Sequence, residues 1–188
     1  MAEIIRSFIA IELPPALIDR IDSYQKELKP FTRHVRWVKP AALHVTLKFL
    51  GEREKPLIDR VQQNLQTVSG AFRPFALTVN QFGAFPGKRN PRVFWLGIKS
   101  EPLELLPDLF HFLENNLQGL GFAKETRRFS PHLTLARVKQ PERFDELWTF
   151  VQSHPFEPFR FNVREIVLMQ SFLKPQGAVY KAIEKFAL

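Results

Sequence analysis

The stretch His44-Val45-Thr46-Leu47-Lys48-Phe49-Leu50-Gly51 decides how this chain is read. Its first residues alternate polar and apolar, the two-residue period of a strand with one buried face. His44 and Thr46 then share one face, with Lys48 behind them. Val45, Leu47 and Phe49 share the other. A second stretch, Ser130-Pro131-His132-Leu133-Thr134-Leu135-Ala136-Arg137, repeats the form His, apolar, Thr, apolar. One copy lies in each half of the chain. His132 and Thr134 again share a face, opposite Leu133 and Leu135. A single His-x-Thr says little, because Thr suits any strand and His is often a satisfied core or surface group. Two copies on matched strands point to a duplicated unit that brings two imidazoles and two hydroxyls around one point.

Working outward, amphipathic helical patterns flank both copies. Pro14 and Pro15 open a helix with Leu17, Ile18, Ile21, Tyr24 and Leu28 on one face. Pro56 opens another with Leu57, Ile58, Val61, Leu65 and Val68 inward. Pro102 opens a third with Leu103, Leu106, Phe110, Leu113 and Leu117 inward, ended by Gly119 and Gly121. Proline is tolerated in a first helical turn, where its missing N–H would be unsatisfied anyway. Phe144, Leu147, Trp148 and Val151 predict a short fourth helix. Strands are predicted over 6–13, 35–38, 43–50 (closed by Gly51), 74–82, 92–98, 131–137, 159–163, 165–173 and 178–186. Residues 83–91 read as a loop, and Pro175-Gln176-Gly177 as a turn joining the last two strands. Several strands follow one another too closely for a crossover helix. The expected class is therefore α+β, with antiparallel or mixed sheets and helices on the outer faces.

The 188 residues suit one domain of two small lobes. No cysteine is present, which excludes disulfides, thiol catalysis and thiolate metal sites and fits a reducing compartment. The N-terminus has no secretory h-region, and no run of 18 apolar residues exists. A cytoplasmic protein with no membrane contact, and a monomer, is expected. Lys and Arg number 27 against 19 Asp and Glu, a net charge of +8. That excess attracts polyanions, nucleic acid first among them. Lys88, Arg89, Arg92, Arg127 and Arg128 are candidates for a rim that tracks a nucleic-acid backbone.

The paired residues suit a phosphate. Two hydroxyls can donate to its oxygens. Two imidazoles on opposite sides can take one proton and give another near neutral pH, with no metal, no cofactor and no covalent intermediate. No acidic residue or third histidine accompanies either motif, so a zinc set is not expected. His34, His111 and His154 read as surface or structural groups.

On these residues the chain resembles the two-histidine phosphoesterase superfamily, and most closely its RNA 2′,3′-cyclic phosphodiesterase branch, historically the 2′-5′ RNA ligase family. Flanking segments extend the likeness over almost the whole chain: Arg6 to Pro14, Arg36-Trp37-Val38-Lys39-Pro40, Phe85-Pro86, Arg92-Val93-Phe94-Trp95, and Met169 to Pro175 with Gly177 and Tyr180. The resemblance implies a bilobal fold with pseudo-twofold duplication, two sheets lining a central cleft, and both His-x-Thr pairs in that cleft. It implies hydrolysis of an RNA-terminal 2′,3′-cyclic phosphate to a 2′-phosphate. His132 would be the general base, His44 the general acid, and Thr46 and Thr134 the phosphate holders. Arg137 matches a family arginine near the substrate. Strict alternation puts it on the apolar face, so it reaches the cleft only from the strand end or after a bulge. Phe8 would stack a base against that guanidinium, and Lys48 would add positive field. The competing readings are ATP-independent 2′-5′ ligation at the same site, which microscopic reversibility allows, and a non-catalytic RNA-end binder.

Overall fold

The computed structural model describes residues 3–175 and 177–188. The expected turn at Pro175-Gln176-Gly177 falls partly outside that range, at Gln176. In chain order the elements are β1 (Ile4–Glu12), α1 (Pro15–Leu28), β2 (Val35–Trp37), β3 (His44–Glu54), α2 (Lys55–Leu65), α3 (Val68–Ala71) and β4 (Phe75–Phe85). They continue with β5 (Val93–Glu101), α4 (Leu105–Gln118), β6 (His132–Val138), α5 (Asp145–Ser153), β7 (Phe159–Val163), β8 (Glu165–Lys174) and β9 (Gly177–Ala187).

The helices follow their apolar stripes. In α1, Leu17, Ile21, Tyr24 and Leu28 are buried, and Pro15 occupies the first turn. Each fully buried Leu or Ile contributes roughly 1.5–3 kcal/mol. Two expectations shift. Val68 belongs not to α2 but to α3. Leu103 is 63% exposed, because α4 begins later than Pro102. The Ser100 hydroxyl explains the start: it accepts the Leu106 N–H at 3.1 Å and donates to the Leu103 carbonyl at 2.8 Å. It thus satisfies a donor that the first helical turn leaves free.

The strands form a four-stranded sheet, β3-β1-β8-β9, and a five-stranded sheet, β2-β6-β5-β4-β7. Among the described residues every pairing is antiparallel, so neither sheet is mixed. The fold is α+β. Strand, helix, His-bearing strand occurs twice, as β1-α1-β3 in the first sheet and β5-α4-β6 in the second. The chain then crosses over: β4 leaves the first half to join the second sheet, and β8 with β9 return to the first. One apolar core runs through both sheets, with Val45 and Leu47 of β3 beside Leu133 and Leu135 of β6.

Three strands outrun their expected ends by three residues or more. β3 does not close at Gly51 but passes through it to Glu54. Gly51 adopts φ +73° where the pairing with β1 slips by one residue, a bulge that glycine accommodates at no steric cost. β4 runs to Phe85, taking Gly83 out of the expected loop, with a bulge at Gln81 (φ +45°). β5 continues to Glu101.

Candidate active site

β3 and β6 adjoin where the sheets meet, with Cα atoms within 8 Å. Because Val45, Leu47, Leu133 and Leu135 enter the core, His44, Thr46, His132 and Thr134 all face away from it, and all four are half-buried. The two rings are held alike. His44 Nδ1 lies 2.9 Å from the carbonyl of Ala42, and His132 Nδ1 lies 2.7 Å from that of Ser130. A carbonyl only accepts, so Nδ1 carries the proton in each ring. Each Nε2 is left to take a proton when neutral or give one when charged. Neither threonine hydroxyl has a protein partner among the described residues.

Aromatic rings wall each imidazole. Phe8 lies 4.7 Å from His44 and Tyr180 lies 5.1 Å from it, edge-on. Phe85 meets His132 edge-on at 4.9 Å and leans on Trp95 at 5.0 Å. The Trp95 indole in turn covers Gly83. Burial lowers the pKa of His44, against the Ala42 carbonyl that raises it. Burial also lowers that of His132, and the Arg137 charge lowers it further, while the Ser130 carbonyl raises it.

Two matched bulges decide which neighbours join the site. Pairing of β1 with β3 slips between Lys48 and Thr46, so Leu47 is the extra residue. Pairing of β5 with β6 slips between Ala136 and Thr134, so Leu135 is the extra residue. An extra residue reverses the faces of everything after it. Arg137 therefore comes back to the His132 face, exposed. Lys48 is sent the other way, so the expectation that it adds field beside His44 is wrong. It is buried, with Nζ 2.7 Å from a Glu114 carboxylate oxygen and 2.7 Å from the Ala123 carbonyl. Phe49, expected inward, is 65% exposed and faces Phe8 at 5.9 Å.

Phe8 also departs from expectation. It is 2% exposed, packed with Ala10, Val167, Met169 and Tyr180, and has no open face for a base. Its place is under His44. All five residues of the basic rim, Lys88, Arg89, Arg92, Arg127 and Arg128, are exposed, and Lys88 also lies over the Trp148 ring at 5.0 Å. His34 is exposed. His111 and His154 line surface hollows of about 550 and 400 Å³ that include none of the four paired residues. Among the described residues no group of three or more His, Asp or Glu could hold a metal, and no helix is long and apolar enough to cross a membrane. Phe85, Trp95 and Tyr180, which the sequence offers only as part of the family likeness and with no role, wall the two imidazoles.

The family described as LigT like Phosphoesterase matches this chain twice, over residues 11–95 and 96–180. A Methanothermobacter thermautotrophicus protein named RNA 2′,3′-cyclic phosphodiesterase is 33% identical over 185 residues, 98% of this chain and 99% of its own. One of the same name from Archaeoglobus fulgidus is 34% identical over 182 residues, covering 96% and 99%. The crystal structure of E. coli LigT complexed with 3′-AMP superposes with a TM-score of 0.79 at 27% identity, covering 99% of each chain.

Proposed function

This chain belongs to the LigT-like phosphoesterase family, and from that premise we propose that it hydrolyses the 2′,3′-cyclic phosphate at an RNA end to a 2′-phosphomonoester, without a metal. The relatives' shared name supports the reaction. The observation that carries the assignment of residues is the common lock on the two rings: each Nδ1 is tied to a backbone carbonyl and each Nε2 is not.

In this mechanism Thr46 and Thr134 donate to the non-bridging oxygens of the phosphate. His132 Nε2 takes a proton from water as its oxygen attacks phosphorus. The P–O3′ bond breaks, and His44 Nε2–H delivers its proton to the departing O3′. The products are a 2′-phosphate and a 3′-hydroxyl. The order of roles has a physical basis. Arg137 favours the neutral form of His132, which a base must be in. No charged side chain contributes in that way to His44. The protein works in this reading as one two-lobed, monomeric unit in the cytoplasm, a setting its lack of cysteine suits.

The test is incubation in EDTA with an oligonucleotide ending in a 2′,3′-cyclic phosphate. A 2′-phosphate end is expected from the wild type, with His44→Ala and His132→Ala each slower by roughly 10²–10⁴-fold. An oligonucleotide bound but unchanged would leave only an RNA-end binder. Wild-type rates in either variant would remove the two-histidine mechanism.

A further inference from the structure

β2 carries a residue that this mechanism does not use. Arg36 is the register partner of Arg137, directly opposite it in the antiparallel pairing of β2 with β6. The flanking pairs settle which way both point. Val35 and Trp37 pack against the core, as do their partners Val138 and Ala136. Arg36 and Arg137 therefore both face away from the core, on the side of His132 and Thr134. Like charges directly opposite in a sheet repel and destabilise the pairing. Among the described residues neither guanidinium has an ion pair or a hydrogen-bond partner, and both side chains are exposed. Arg36 also reaches the other sheet: a Cβ built on Gly177, at the start of β9, would lie 3.1 Å from Arg36 Nη2. Three residues farther along β9 is Tyr180, beside His44. The paired guanidinium groups thus lie between the two walls, next to the phosphate-holding pair.

We infer that Arg36 and Arg137 form a second anion subsite, which takes the phosphodiester on the 5′ side of the terminal nucleotide. This rests on the cyclic-phosphate reading of the neighbouring site. An anion between the two guanidinium groups would relieve their repulsion and accept charge-assisted hydrogen bonds from both. The placement fits a chain end. Along β6, Arg137 is displaced from Thr134 by two paired positions and one bulge residue, about 7 Å. A ribose separates the two phosphates over a comparable reach. The substrate class is then an RNA end of two or more nucleotides, in preference to a lone cyclic nucleotide.

The experiment compares three substrates: a nucleoside 2′,3′-cyclic monophosphate, a dinucleotide ending in the same group, and that dinucleotide with its linking phosphate replaced by a neutral methylphosphonate. Arg36→Ala is expected to lower kcat/KM on the charged dinucleotide roughly tenfold or more, mainly through KM. The other two substrates should lose less than twofold. The salt dependence on the dinucleotide should become shallower by about one counterion. Equal losses on all three substrates, or none on the dinucleotide, overturn the subsite. Direct binding of a dinucleotide 2′-phosphate against a mononucleotide 2′-phosphate separates this from the reaction itself. A binding preference lost in Arg36→Ala with no turnover by the wild type would sink the hydrolase and keep the subsite. Turnover without that preference would do the reverse.

Discussion

Lys48 and Glu114 form a buried ion pair, Nζ to Oε1 2.7 Å, with side chains only 8% and 5% exposed. Lys48 stands on β3, two residues past Thr46. Glu114 stands on α4, and its Oε2 also accepts the Glu125 N–H at 2.7 Å. The pair therefore fastens the first His-bearing strand to the segment leading into the second. Removing one partner leaves a buried charge uncompensated, which costs about 3–5 kcal/mol. Glu114→Gln and Lys48→Met should each destabilise by about that much in urea unfolding, and the double variant Lys48→Met/Glu114→Leu by clearly less. Single variants within 1 kcal/mol of the wild type would show the pair to be idle.

Gly83 supports His132 at one remove. A Cβ at this position would stand 2.3 Å from Cη2 and Cζ2 of Trp95, an impossible contact. The Gly83→Ala variant must lift the indole off the sheet, and Phe85 leans on that indole while touching His132. A stability loss of about 1–3 kcal/mol is expected, together with a drop in kcat. Adding Trp95→Leu should recover part of the stability, because the two changes share one contact. Strict additivity in that cycle would refute the account.

Burial is the main cause of the lowered His132 pKa, and the Arg137 charge adds to it, so Arg137 contributes to where the acidic limb of the rate profile falls. Its charge favours neutral His132, so Arg137→Met should let the His132 pKa rise. The rate of Arg137→Met should then fall off at a higher pH than that of the wild type as acid is added. Arg137→Lys keeps the charge and should leave the limb in place. A limb unmoved in Arg137→Met would mean that the two side chains do not interact in solution.

The bulges explain both what the sequence disclosed and what it hid. Alternation located His44, Thr46, His132 and Thr134 correctly, because all four precede the extra residue on their strands. Lys48, Phe49 and Arg137 follow it, and their faces are reversed. Nothing in the residue types Leu47 or Leu135 announces a bulge, since leucine suits either a paired or an extra position. The helices were legible because each apolar stripe persists over several turns. The late start of α4 was not, because it depends on one hydroxyl, that of Ser100, aimed at Leu106. Tyr180 beside His44 could not be read locally: it arrives from the far end of the chain, through the return of β9 to the first sheet.

Burial lowers the pKa of both imidazoles below the ordinary 6.5, and that shift sets two pH dependences. For stability, the unfolded chain binds these protons more readily than the folded one. Stability is then full above about pH 6.5 and is lost as pH falls through the unfolded and then the folded values. For catalysis, kcat/KM reports the free enzyme and kcat the complex. In the free enzyme the acid is charged only below its lowered pKa, so kcat/KM should already decline as pH rises past 6.5. A bound phosphate anion favours imidazolium and carries the acid's pKa upward. The basic limb of kcat should therefore lie at higher pH than that of kcat/KM, and a nucleoside 2′-phosphate should bind more tightly as pH falls, with proton uptake measurable by calorimetry in buffers of differing ionisation enthalpy. Because the rings share one anion, the limbs belong to the pair rather than to either ring. Coincident kcat and kcat/KM profiles, with no proton uptake on binding, would mean that the phosphate does not sit between the two histidines.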